Sequence, residues 1–148
     1  MGISENIRAV KAKIAAAAEG ADRDPSSVSL LAVSKTIAEE KILEAIKAGH
    51  NKFGENRVQE AEQKWPHLRD SAGSLELHLI GSLQTNKTRA AVALFDFIET
   101  LDRLKLAHAL AKEMAYLDRR IPCFIQVNTG EEPQKSGVLP NEADSFIG

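Results

Sequence analysis

The chain predicts an α/β protein with a parallel sheet covered by helices. Three observations carry this reading. After one amphipathic helix, runs of strand character alternate with helical spacing through five strand–helix units, the last cut short. The segment from Ile121 to Val127 is almost continuously apolar, as suits a parallel strand covered on both faces. Polar residues gather just after each predicted strand, where α/β sheets and barrels bind their ligands. Right-handed crossovers allow two closures, an open doubly wound sheet or part of a barrel.

The first helix is predicted from Ile3, Ile7, Val10 and Ile14 at 4-3-4 spacing, with Ser4 as its cap and Gly20 as its end. A loop, Asp22 to Ser27, precedes a strand that begins near Leu30 and ends at Lys35. Thr36 and Glu39 have the spacing of a capping box, and the helix they open runs from about Ile37 to Ala48, with Gly49 as its stop. Lys52-Phe53-Gly54 is the second strand. Arg57 to about Lys64 reads as helix, which Pro66 argues against extending. Ser71 to Ser74 is a turn. In Leu75 to Gly81, Leu75, Leu77 and Leu79 share one face, and Glu76, His78 and Ile80 the other. Gln84 to Lys87 opens a helix that packs through Ala90, Ala91, Val92 and Leu94. Phe95 to Glu99 is the fourth strand, and Asp102 caps a helix whose buried stripe is Leu106, Leu110, Met114 and Leu117. The fifth strand leads into a polar loop, Asn128 to Gly137, and Pro140 to Ala143 begin a last helix.

With 148 residues, 43% hydrophobic and 27% charged, the chain is long enough for one domain with a real core. A net charge of −2 gives no reason to expect a nucleic-acid or membrane-surface partner, and no apolar run approaches the ~20 residues of a membrane span. The single cysteine, Cys123, makes no intrachain disulfide and reads as a small buried hydrophobe. With no visible signal peptide, this suits a reducing cytoplasm. The four histidines show no metal-ligand spacing. No Gly-rich phosphate fingerprint follows the first strand, and no Gly-x-Ser-x-Gly is present, so nucleotide and hydrolase readings are weak.

Instead, the first strand-to-helix turn carries a lysine. Alternation places Lys35 with Leu31 and Val33 on an otherwise apolar face, where an amine is costly unless paired and its pKa falls. A neutral amine attacks carbonyl carbon, so Lys35 is a Schiff-base candidate; the plain alternative is a lysine that snorkels into water. The other predicted strand ends supply Ser34 and Thr36, Glu55 and Asn56, His78 and Gly81, Glu99, Thr100 and Asp102, then Asn128 and Thr129. Each has a bland reading: His78 as a hydrogen-bonded core residue, Asn56 and Asn128 as turn formers or caps.

Four strings resemble one family when taken together. They are Ala32-Val33-Ser34-Lys35-Thr36; Phe53-Gly54-Glu55-Asn56-x-Val58-Gln59-Glu60; His78-x-Ile80-Gly81-x-Leu83-Gln84-x-Asn86-Lys87; and Gln126-Val127-Asn128-x-Gly130 continued through Gly137. In this order, over about residues 28 to 138, they resemble the pyridoxal phosphate homeostasis proteins, relatives of the N-terminal barrel of alanine racemase. The resemblance implies a (β/α)8 TIM-barrel type fold holding pyridoxal 5′-phosphate (PLP) as a Schiff base on Lys35, with Asn56, His78 and Asn128 lining the cofactor pocket and Lys135 near it. It implies a carrier or regulator in PLP homeostasis rather than a clear catalyst, with PLP-dependent apo-enzymes as recipients and a monomeric family member. The alternative is a PLP-dependent amino-acid (alanine) racemase-like enzyme using Lys35 as a base, although Tyr116 lies outside every family motif. Two departures are visible. Arg57 stands where the family often has tyrosine. The family is also longer: full barrels of this type take ~200 residues or more. The expectation is therefore one partial domain, 1–148, whose phosphate cup, pyridine-facing arginine and last strands lie in the missing part, and whose exposed sheet edge allows self-association.

Overall fold

A computed structural model describes residues 2–148. Five strands form one parallel sheet in chain order, β1 (Ala32–Val33), β2 (Lys52–Glu55), β3 (Glu76–Leu79), β4 (Phe97–Leu101) and β5 (Cys123–Ile125). Helices α1 (Ile3–Gly20), α2 (Glu39–Lys47), α3 (Val58–Asp70), α4 (Thr88–Leu94) and α5 (Leu104–Leu117) precede or link them, and a short α6 (Ala143–Ile147) follows. Strictly sequential parallel pairing is the winding of a (β/α)8 barrel, and the five strands make an incomplete one, with β1 and β5 as edges.

The core lies between the sheet and its helices. Phe53, Trp65, Leu77, Leu79, Phe95, Ile98 and Leu106 are at most 1% exposed. The predicted stripe of α5 holds: Leu106 and Leu110 are buried, and Met114 and Leu117 pack beside them. Gly49 ends α2 with φ 90°, a conformation that costs a side-chain-bearing residue.

Several boundaries differ from the sequence reading, each for a physical reason. Helix α1 is capped at Gly2 rather than Ser4; Glu5 and Glu44 accept its free N–H groups from Gly2 and Ile3. No capping box forms at Thr36 and Glu39. Helix α2 starts after Ala38, and Thr36 takes a left-handed conformation (φ 61°) with its N–H donated to Glu60 instead. Helix α3 runs through Pro66 to Asp70. A mid-helix proline costs about 3 kcal/mol, and burial of Trp65 and Leu68 on either side of it offsets that. Strand β4 begins at Phe97; Asp96 just before it is tied to β3 by its N–H to the Leu77 carbonyl, and its carboxylate accepts from the Leu77 N–H, Arg69 and Arg119. Asp102 does not cap α5; it pairs with Arg103 and accepts the Gly137 N–H at 3.1 Å. Strand β5 is not covered on both faces, since Phe124 is 52% exposed.

Candidate functional site

The strand register lines up Val33, Gly54, His78 and Phe97 across β1 to β4 on the inner face of the sheet. The bareness of Gly54 is needed here: a Cβ would come within 3.2 Å of Leu31 and Ile80, which fill the space. Two residues further along each chain, Lys35, Asn56, Ile80 and Glu99 form the start of the rim. Leaving the strands at the same end, they realise the convergence read from the sequence.

Lys35 is exposed, two residues beyond β1, and among the described residues its ammonium makes no hydrogen bond or ion pair. The apolar shelter expected for it is not there. Val33, its neighbour on that face, is 50% exposed.

His78 is buried on β3 and stacks on Phe97, with 4.4 Å between ring centroids; Phe97 in turn stacks on Phe124. Its Nδ1 lies 2.6 Å from Glu99 Oε1. An ionised carboxylate only accepts, so the imidazole donates from Nδ1 and its neutral tautomer leaves a lone pair on Nε2. Nε2 is buried and makes no hydrogen bond among the described residues; Glu76 Oε1 lies 3.9 Å from it.

Asn56 follows β2. Its backbone presses against Gly81, where a Cβ would lie 2.2 Å from the Asn56 carbonyl oxygen, so only glycine fits. Thr100 Oγ1 donates to the Gly81 carbonyl and secures this contact. The Asn56 side chain has no hydrogen bond among the described residues; it borders a cleft of about 400 Å³ shared with Arg57, Gln84 and Lys87.

Asn128 serves its own loop. Its Nδ2 donates to the carbonyl oxygens of Glu132 (2.8 Å) and Lys135 (3.4 Å), and its Oδ1 accepts the Glu132 N–H. Gly137, at φ 115°, allows the returning chain to pass close to Asn128. The folded loop walls a second cleft of about 370 Å³, lined by Gly81, Ser82, Thr100, Gln126, Asn128 and Ser136 among others. Lys135 pairs with Glu132 at 2.8 Å. The rim thus holds two clefts, with Ser82 bordering both, while His78 sits one row deeper and Lys35 borders neither.

Glu55 is a correction. Read from sequence as a rim residue, it turns to the outer, helix-facing side and is fully buried. One oxygen receives Ser34 Oγ (2.9 Å), the Trp65 indole N–H (3.0 Å) and the Lys64 ammonium (2.7 Å). Sequence reasoning missed Lys64 and Trp65 as partners of this turn; the i,i+4 pairing of Glu60 with Lys64 was the available signal. Burial pushes the Cys123 thiol up, so it stays protonated near neutral pH and is a poor nucleophile. Tyr116 is 68% exposed on α5 beneath the Arg89 guanidinium. No helix among the described residues is long and apolar enough to cross a membrane.

Comparison with known proteins matches these features. The chain is 41% identical over 142 residues to the pyridoxal phosphate homeostasis protein of Pasteurella multocida, covering 96% of this chain and 61% of that one. It is 41% identical over 145 residues to the Escherichia coli K12 protein of the same name, covering 97% and 62%. It therefore spans about three-fifths of the length of these relatives. The solved structure of PipY from Synechococcus elongatus with PLP bound superposes with a TM-score of 0.75 at 36% identity, covering 93% of this chain and 62% of that one. An alanine racemase from Clostridium difficile shares the fold alone, with a TM-score of 0.65 at 16% identity, covering 81% and 31%. The family profile described as alanine racemase, N-terminal domain, matches residues 5–148, and with the sequential parallel winding and the rim in place, the chain belongs to that family.

Proposed function

We propose that this chain binds PLP and serves PLP homeostasis, with the cofactor held as a Schiff base on Lys35. The observation that carries the reading is the placement of Lys35: an unpaired primary amine at the carboxyl end of the first strand, above the half-exposed Val33. The curated relatives and the PLP-bound PipY structure support the choice of cofactor. PLP supplies an aldehyde, which condenses with a primary amine and releases water.

The residues present fit such a group. Lys35 offers the amine. His78, held by Glu99, offers beneath the rim a buried ring nitrogen that makes no hydrogen bond. Asn56 offers a free amide, fixed from behind by Gly81. Asn128 contributes by folding the loop that walls the second cleft. We assign phosphate binding to the part of the family's length that this chain does not span, which makes PLP binding by residues 1–148 alone weak, so condensation at Lys35 is driven with excess PLP and read as the adduct that borohydride traps. The role is that of a carrier that gives PLP to PLP-dependent apo-enzymes in a reducing cytoplasm, without turnover of its own. The racemase reading rests on likeness of fold.

Titration with PLP followed by borohydride reduction and peptide mapping tests the assignment. The expected outcome is a visible absorption band that borohydride bleaches, modification concentrated on Lys35, and loss of both in Lys35→Ala. An unchanged band in that variant would refute the assignment.

A further inference from the structure

The backbone on both sides of Lys35 is gripped by one face of α3. Lys64 Nζ donates to the Ser34 carbonyl oxygen at 2.8 Å, and Glu60 Oε1 accepts the Thr36 N–H at 2.6 Å. These two side chains stand one helical turn apart and join each other at 3.1 Å. Lys64 also meets Glu55 at 2.7 Å, and Glu55 takes the Ser34 hydroxyl. The three ammonium donors therefore have three oxygen acceptors, in a setting where Lys64 is 11% and Glu55 0% exposed.

This arrangement is more than an ordinary ion pair on a helix. Glu60 and Lys64 could satisfy one another at i,i+4 in water; instead both reach across to a three-residue turn. That turn holds Thr36 at φ 61°, a strained conformation for a β-branched residue, which persists only where neighbours over-determine it. The Glu60–Thr36 hydrogen bond and the Lys64–Ser34 hydrogen bond supply that constraint on the backbone, while the Lys35 side chain between them makes no hydrogen bond or ion pair.

We infer that Glu60 and Lys64 are positioning residues for Lys35: together they lock the Ser34–Thr36 turn so that the amine leaves the rim from one backbone position. The inference rests on the reading of Lys35 as the amine that takes the aldehyde. A locked turn favours condensation by holding the nucleophile near its attack geometry, and a loosened one slows it.

Two readouts test this on the chain itself, one of them independent of PLP. The first is hydrogen exchange at the Thr36 amide. The second is the ratio of borohydride-trapped PLP on Lys35 to that on Lys105, an exposed lysine of α5, after brief exposure to PLP. The variants are Glu60→Ala, Lys64→Arg and the double change Glu55→Gln with Lys64→Met, which removes the cation without stranding a buried carboxylate. In Glu60→Ala, Thr36 exchange should rise about tenfold, the size of one lost charge-assisted hydrogen bond, and in the double variant, which keeps Glu60 but loses the anchor on Ser34, it should rise less. The Lys35 to Lys105 ratio should fall several-fold while Lys105 labelling stays constant, and Lys64→Arg should restore most of it. A wild-type ratio in both variants overturns the inference, whether or not Thr36 exchange changes. If the unmodified chain labels Lys35 no faster than Lys105 while Thr36 stays protected, the carrier reading itself fails and the inference falls with it.

Discussion

On the outer face of the sheet Phe53, Leu77, Leu79 and Ile98 are at most 1% exposed beneath α2 to α5, whereas on the inner face Val33 and Phe124 are 50% and 52% exposed. Each face also buries an ionisable side chain with one polar atom that makes no hydrogen bond. Outside, Glu55 has three donors on Oε1 and none on Oε2. Inside, His78 has Glu99 on Nδ1, while Nε2 makes no hydrogen bond and lies 3.9 Å from Glu76 Oε1. The difference between the faces lies in hydrocarbon: the outer layer buries it and so stabilises the chain, whereas the inner face leaves Val33 and Phe124 half exposed, as suits a surface that receives something else.

That contrast can be broken or sharpened by substitution. The largest effect belongs to the outer layer: Trp65→Ala removes a fully buried indole and the donor to Glu55, and should cost about 3–5 kcal/mol in denaturant unfolding. Trp65→Phe should keep most of the packing and cost about 1–3 kcal/mol, the penalty for a buried acceptor that loses a partner. Next comes Gly81→Ala at the rim. Its Cβ would lie 2.2 Å from the Asn56 carbonyl, so the Asn56 backbone must move, at about 1–3 kcal/mol in thermal or chemical unfolding.

A smaller effect is set by pH. The Thr36 N–H, aided by Lys64 and Arg57, holds the Glu60 carboxyl below its ordinary value of 4.5. A carboxylate depressed in the folded state stabilises it fully above the unfolded value, and that contribution is lost as pH falls through the folded one. Stability of the wild-type chain should therefore decline below about pH 4.5 more steeply than that of Glu60→Gln, and the two curves should converge in acid. Parallel curves would show that Glu60 does not feel Thr36. The smallest effect belongs to the inner face: Phe124→Ser should change unfolding free energy by no more than about 0.5 kcal/mol. A loss comparable to that of Trp65→Ala would erase the distinction between the faces.

Much of the fold was legible because its signals are local. The stripe of Leu106 and Leu110, the Gly49 stop and the alternation of Leu75, Leu77 and Leu79 each depend on spacing within one element, and each stands. The rim residues were legible as a group, since parallel strands bring their carboxyl ends together, so Lys35, Asn56 and Glu99 emerge side by side. What the spacing misjudged are places where a distant partner outweighs a local preference. Thr36 could have capped a helix but gives its N–H to Glu60; Asp102 could have done so but takes the N–H of Gly137. Pro66 marks a helix end, yet burial of Trp65 and Leu68 carries α3 through it.

Order along the chain therefore settled the strand–helix alternation, the parallel sheet and the lysine at the first turn, because periodicity and turn chemistry act over a few residues; the sequential winding, as against a doubly wound sheet, was left open by spacing and is decided in the structure. Which side Glu55 faces, how α3 grips the turn around Lys35, and why Asn56 sits where it does depended on side chains that meet only when the sheet is wound. Those contacts join residues 20 to 30 positions apart, such as Ser34 with Glu55 and with Lys64. Such distances lie beyond what local spacing can encode, and they are decided by burial and hydrogen-bond satisfaction in the assembled layers.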